Sequence, residues 1–131
     1  MSENKKELSK HRLETARETM RSAKYNFEGK FYRDAINRAY YVVFYAIKAV
    51  LALDGKDFKR HKDAIAYFNK EYVATDIFSR EVGKNLGRIK MKREEGDYTD
   101  FFLASSEEAS KQVERAEYIL NEIEKYLKDK I

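Results

Sequence analysis

The chain's most basic stretch, Arg88-Ile89-Lys90-Met91-Lys92-Arg93, runs directly into Glu94-Glu95-Gly96-Asp97-Tyr98. Arg88, Lys90, Lys92 and Arg93 are the kind of residues that bind phosphate. A guanidinium offers a rigid donor fork to phosphate oxygens, and here a carboxylate (Asp97) and a phenol (Tyr98) follow within five residues. A plainer reading also stands. Cations in the last turns of a helix suit its dipole, and Arg93 with Asp97 has the spacing of an ordinary i,i+4 ion pair.

A second group surrounds His61, one of two histidines. Lys56, Lys59, Arg60 and Lys62 flank it, with Asp57 as the only acid of that segment. An imidazole titrates near neutral pH and can move a proton, while the neighbouring cations are expected to push its pKa down. Arg60 is the member best suited to phosphate. The third group is Asn37-Arg38-Ala39-Tyr40-Tyr41 with Phe44. Three- and four-residue steps bring Asn37, Tyr40, Tyr41 and Phe44 to neighbouring faces of one helix, where they serve either as a polar-aromatic cleft wall or as core packing with satisfied hydroxyls. There is no glycine loop of the nucleotide-binding kind, no zinc-like spacing and no nucleophile elbow, so neither a metal nor a cofactor is expected.

The elements that must position these groups read as helices throughout. Leu13, Ala16, Met20, Ala23 and Phe27 draw one apolar stripe over a first helix from about Glu3 to Glu28, with Gly29 as its stop. A second helix, Phe31 to Leu53, is apolar or aromatic nearly all round from Ala39 to Ile47. That pattern belongs to a helix wrapped by others or placed at a subunit seam, and Asp54-Gly55 ends it. A short third helix over Asp63 to Tyr72 turns Ile65, Phe68 and Tyr72 inward. Thr75 or Asp76 is expected to cap a fourth, which carries Phe78, Val82, Leu86 and Ile89 and stops at Gly96. Gly83 and Gly87, four apart on it, suggest close packing by a neighbour. Ser105 with Glu108 forms a capping box for a fifth helix, which turns Ala109, Val113, Ala116, Leu120, Ile123 and Leu127 inward. The expectation is one all-α domain over residues 1–131, an up-and-down bundle of four long helices plus one short one.

Composition agrees. The 131 residues contain no proline and only five glycines, too few turn formers for a sheet-rich fold, while 43% hydrophobic residues suffice for one continuous core. The charged fraction, 38%, describes solvated helix faces, and a net charge of +4 does not itself imply nucleic acid. No cysteine means no disulfide and no thiolate metal site. The opening residues lack the apolar segment of a signal peptide, and no apolar run reaches the roughly 18 residues of a membrane span, so a cytoplasmic protein without a membrane partner is expected.

Taken in order, Asn37-Arg38-Ala39-Tyr40-Tyr41-Val42-Val43-Phe44, His61 opening the third helix, Lys70-Glu71-Tyr72-Val73 and Arg93-Glu94-Glu95-Gly96-Asp97-Tyr98-Thr99-Asp100 resemble the HEPN family, in particular a small stand-alone prokaryotic subfamily. The likeness spans roughly residues 10 to 127. It implies a helical bundle, usually a homodimer, often encoded beside a minimal nucleotidyltransferase. Many HEPN proteins are metal-independent ribonucleases and act as toxins of toxin–antitoxin pairs. Their motif is an Arg, a His four to six residues on and a Tyr two beyond, at the end of a late helix and paired across the dimer. By this resemblance Arg93 takes the Arg position, Tyr98 stands near the Tyr position, and Asn37 matches a polar residue lining the cleft. Asp97 occupies the place of the motif His, and no His follows Arg93.

Metal-independent RNA cleavage requires one group to take the 2′-OH proton, another to protonate the leaving oxygen, and a cation to steady the phosphate. Asp97 is a base but, with an ordinary pKa, a poor acid at pH 7. His61 supplies the missing proton group if the fold brings it to Arg93. Three readings follow: an RNA-cleaving or RNA-binding module, a non-catalytic homodimeric or nucleotide-binding partner of a nucleotidyltransferase, and a purely structural helical module.

Overall fold

The computed structural model describes residues 2–98 and 104–131, with side chains for 3–94 and 104–131. Its elements are α1 (Ser2–Glu28), α2 (Tyr32–Leu53), α3 (His61–Phe68) continuing into a π-helical turn (Asn69–Val73), α4 (Arg80–Tyr98) and α5 (Ser106–Leu127). The architecture is all-helical, a bundle of four long helices and one short one, as the periodicity requires. Every inward residue expected above is buried except Phe27, which packs half-buried on the core's edge.

α2 is the hub, packed against α1, α5, α4 and α3. Val42, Ile47, Val50 and Leu51 are wholly buried, each side chain contributing on the order of 2 kcal/mol of transfer free energy. By length and composition the whole of Tyr32–Leu53 would suit a membrane span, contrary to the shorter run expected above. Two-thirds of that apolar window is buried inside the bundle, so its hydrophobicity is that of a core helix. Against it a polar side chain is enclosed: Ser9 of α1 donates its hydroxyl to the Ala49 carbonyl at 2.7 Å.

The α1–α2 turn differs from expectation in its chemistry. The residue with left-handed backbone is Lys30, at φ 67°, not Gly29. Phe31 N–H bonds the Asn26 carbonyl and Lys30 N–H the Phe27 carbonyl, the double bond of a helix C-terminal motif that ordinarily places glycine where Lys30 sits. Gly29 serves by its lack of a side chain, because a Cβ there would stand 3.0 Å from the Phe31 ring. At the end of α2 the same motif recurs with Gly55 in the left-handed position, as expected, at φ 69°.

α4 starts later and ends later than its sequence suggests. Thr75 does not cap it: its hydroxyl bonds back to the Glu71 carbonyl, and Asp76 sits at φ 64°. The reason is Phe78, whose N–H bonds the Tyr72 carbonyl and whose ring packs on Phe68, Tyr72 and Tyr126. Seating that ring holds the chain out of helix until Ser79, whose carbonyl and hydroxyl take the first turn of α4. At the far end α4 continues through Gly96 to Tyr98. Gly83 does permit a close approach, to Val73 at 3.0 Å, whereas a Cβ on Gly87 would meet nothing within 4 Å. The Ser105 cap forms as read, accepting from Glu108 N–H at 3.0 Å. The Glu108 carboxylate is directed to Lys92 of α4 at 3.3 Å, which ties the two helices across the 99–103 segment.

Candidate functional site

One face of α2 carries Asn37, Tyr40, Tyr41, Phe44 and Lys48 in successive turns, and two other elements converge on it. α3 begins with His61 because the Arg60 carbonyl accepts from Asp63 and Ala64 N–H, closing the first turn there. Arg60 itself bonds the Asp63 carboxylate at 3.1 Å. The loop that delivers His61 is fastened from both sides. Asp57 pairs with Lys48 at 2.5 Å and with Arg12 at 3.7 Å, and Phe58 packs on Tyr67 with ring centroids 5.3 Å apart. The Lys48 ammonium, above all, holds the Asp57 carboxyl below the ordinary aspartate range.

His61 lies on this aromatic face half-buried. Its ring centroid is 3.9 Å from that of Phe44, and it meets Tyr41 edge-on at 5.8 Å. Its Nδ1 stands 3.2 Å from the Tyr40 hydroxyl. In either tautomer this contact occupies Nδ1 and leaves Nε2 for other partners. From α4, Arg93 lays its guanidinium over the same tyrosines, 4.6 Å from the Tyr40 centroid and 5.7 Å from that of Tyr41. Arg93 Nη2 also donates to the Tyr41 hydroxyl at 3.4 Å. Such stacking is worth on the order of 1–2 kcal/mol when part-buried, and it fixes the plane of the guanidinium.

The electrostatics follow from this packing. Burial lowers the pKa of His61 below its ordinary value, and the positive charges of Arg93 and Lys48 lower it further. The depression is as expected, but its source is not. Burial leads, and the cations responsible come from α4 and α2 rather than from the flanking Lys59, Arg60 and Lys62. A neutral imidazole beside an arginine suits a general base acting on an anionic substrate.

The expected site residues separate into groups. Arg93 and His61 share one tyrosine platform, with Asn37 half-buried one turn ahead of it on α2. Asp97 and Tyr98 fall in the last turn of α4, and their side chains lie outside the described residues. Arg88 and Lys92 turn to the opposite flank of α4, toward α5, while Lys90 is half-buried and does not line that groove. Lys48 and Asp57 entered the site without any sequence signal beyond Asp57 being the only acid in a basic loop. Their pairing across nine residues depends on where α2 ends. Among the described residues no cluster of His and carboxylates suits a metal ion.

The sequence profile of the HEPN domain matches residues 9–126. The chain belongs to the HEPN family. Its relatives agree with that assignment. A Thermotoga maritima "UPF0332 protein" is 34% identical over 114 residues, covering 87% of this chain and 86% of the relative. Two Methanocaldococcus jannaschii proteins, each named "Putative toxin", are 33% and 29% identical, covering 89% and 94% of this chain and 87% and 83% of their own lengths. In this HEPN chain the α2 tyrosines join the arginine of the late helix to a histidine from α3, which precedes that arginine in the chain instead of following it four to six residues on.

Proposed function

We propose that this HEPN protein is a metal-independent endoribonuclease and the toxin of a toxin–antitoxin pair, with His61 in the role that the motif histidine has elsewhere. The observation that carries the reading is the shared platform: His61 and Arg93 contact the same two tyrosines from different helices. The toxin names of the relatives support the biological setting.

His61 Nε2 takes the proton of a ribose 2′-OH, whose oxygen attacks the adjacent phosphorus. The P–O5′ bond breaks to give a 2′,3′-cyclic phosphate. The imidazolium, acidified by burial and by Arg93 and Lys48, returns its proton to the leaving 5′ oxygen. Arg93 steadies the charge of the crowded phosphorane, with Asn37 one turn ahead of the platform on α2, and the family resemblance assigns Asp97 and Tyr98 of α4 to auxiliary roles. The protein works in the cytoplasm as a homodimer, and a minimal nucleotidyltransferase is its partner.

Expression of Arg93→Ala tests this reading. Loss of RNA cleavage and toxicity in a variant that keeps its helical circular-dichroism spectrum supports it. Cleavage at the wild-type rate by Arg93→Ala defeats it. A wild-type protein that binds nucleotide and a nucleotidyltransferase tightly but leaves RNA intact would move the assignment to a non-catalytic partner.

A further inference from the structure

α4 has two working flanks. The α2 side carries Arg93, and the opposite side forms a groove of about 190 Å³ with α5, lined by Arg88, Met91, Lys92, Glu108, Lys111 and Arg115. Four of these six are cations and only one is an acid. Their pairing is uneven. Lys92 is matched to Glu108 at 3.3 Å and Lys111 to Glu107 at 3.0 Å, exposed pairs of small energy. Arg88 is exposed and makes no hydrogen bond or ion pair among the described residues. Arg115 has no carboxylate partner among them either. Its one bond is from Nη1 to Oε1 of Gln112, a wholly buried amide. That bond holds one terminal nitrogen of the guanidinium and leaves Nη2 and Nε for other acceptors. Gln112 Nε2 is itself buried without a partner among the described residues.

A buried amide holding one arginine at the edge of a groove, opposite a second uncompensated arginine, is an arrangement that an anion completes. Two forks of N–H donors match phosphate oxygens, and the exposed Met91 offers apolar contact to sugar or base. The opposite end of the α4–α5 interface is different, since Glu81 and Glu114 there accompany Lys111 and Arg115. Among the described residues cations therefore outnumber acids at the end nearer Arg93, which adjoins Lys92 in the chain.

We infer that the α4–α5 groove is a backbone track for single-stranded RNA, with Arg88 and Arg115 contacting successive phosphates of the strand whose scissile bond lies at Arg93 and His61. This deepens the ribonuclease reading and rests on it. The track contributes affinity without sequence preference, because phosphates carry no base identity.

The test uses the full chain and a 2′-O-methyl oligoribonucleotide, which binds but has no 2′-OH to react. Binding followed by fluorescence anisotropy against salt gives a slope of about −0.7 per phosphate contact on single strands. Arg88→Ala with Arg115→Ala is expected to flatten that slope by about 1.4. Affinity should fall by a similar factor for unrelated sequences, while Arg17→Ala, outside the groove and paired with Glu124 near the end of α5, changes neither. Arg88→Ala alone breaks no hydrogen bond or ion pair among the described residues and is expected to give half the effect, so a misfolded Arg115 variant would not obscure the result. Competition by inorganic phosphate separates a strand track from a single-phosphate site: millimolar phosphate displaces the strand only in the second case. An unchanged slope and affinity in the double variant, while Arg93→Ala still abolishes cleavage, overturns the track and leaves the ribonuclease reading intact. A wild-type protein that neither binds nor cleaves RNA overturns both.

Discussion

The Tyr40 hydroxyl stands 3.2 Å from His61 Nδ1 while the face of the same ring supports Arg93 at 4.6 Å. One side chain thus sets the orientation of both groups to which the chemistry is assigned. Removing only the hydroxyl separates these duties. Tyr40→Phe keeps the platform but releases the imidazole, and the expected result is a drop in the cleavage rate of about fivefold, in line with a lost hydrogen bond of about 1 kcal/mol. The Kd for RNA should stay constant. A Tyr40→Phe enzyme of unchanged rate would show that this contact does not position His61.

The pH dependence follows from the direction of the His61 shift. Because its pKa lies below the ordinary 6.5, the neutral base form predominates at neutral pH, and the rate falls as pH drops through the lowered value. Lys48→Met removes one of the charges that lower it, so the acid limb should move to higher pH. An NMR titration of His61 in both proteins reads the same shift directly. Linkage adds a stability effect of the same origin. The unfolded chain takes up the proton first, so His61 costs stability as pH falls from 6.5 to the folded pKa and adds no further loss below it.

The two glycines of α4 should respond oppositely to alanine. Gly87→Ala places a methyl in open space on a helix and is expected to stabilise by about 1 kcal/mol. Gly83→Ala sets a Cβ 3.0 Å from Val73 Cγ1, and the resulting repacking should cancel that gain or reverse it. Thermal melts of the two variants check the pair.

At the helix ends, Lys30→Gly relieves a left-handed lysine and should raise stability by about 1 kcal/mol. Gly55→Ala imposes the converse strain at φ 69° and should lower it by a similar amount. Equal melting temperatures for both variants and the parent would contradict this account of the two turns.

The helices were legible because their burial is periodic: the stripe from Ala109 to Leu127 lies on one face of α5 and is buried throughout. Local chemistry misled where a distant contact decided. Thr75 has the form of an N-cap, but the docking of Phe78 against Tyr126 of α5 postpones the helix to Arg80. Gly29 has the form of a left-handed stop, yet Lys30 takes that backbone and Gly29 makes room for Phe31. The site divides the same way. Arg93, His61 and Asn37 were visible as residue types, and the family likeness drew attention to the missing motif histidine. That His61 and Arg93 share the tyrosine platform is a tertiary fact, supported by the Asp57–Lys48 pair and the Phe44 contact, and no spacing rule joins positions 61 and 93.

The central claim is that His61 and Arg93 act on one phosphate as one site, and a double-mutant cycle on single-turnover RNA cleavage tests it most directly. His61→Ala and Arg93→Ala should each lower the rate by about 10²–10⁴, in keeping with general-base and charge-stabilising roles. Residues that act as a unit are not additive, so the double variant should be little slower than the worse single one. Wild-type cleavage by His61→Ala, or losses that simply multiply in the double variant, would contradict the account.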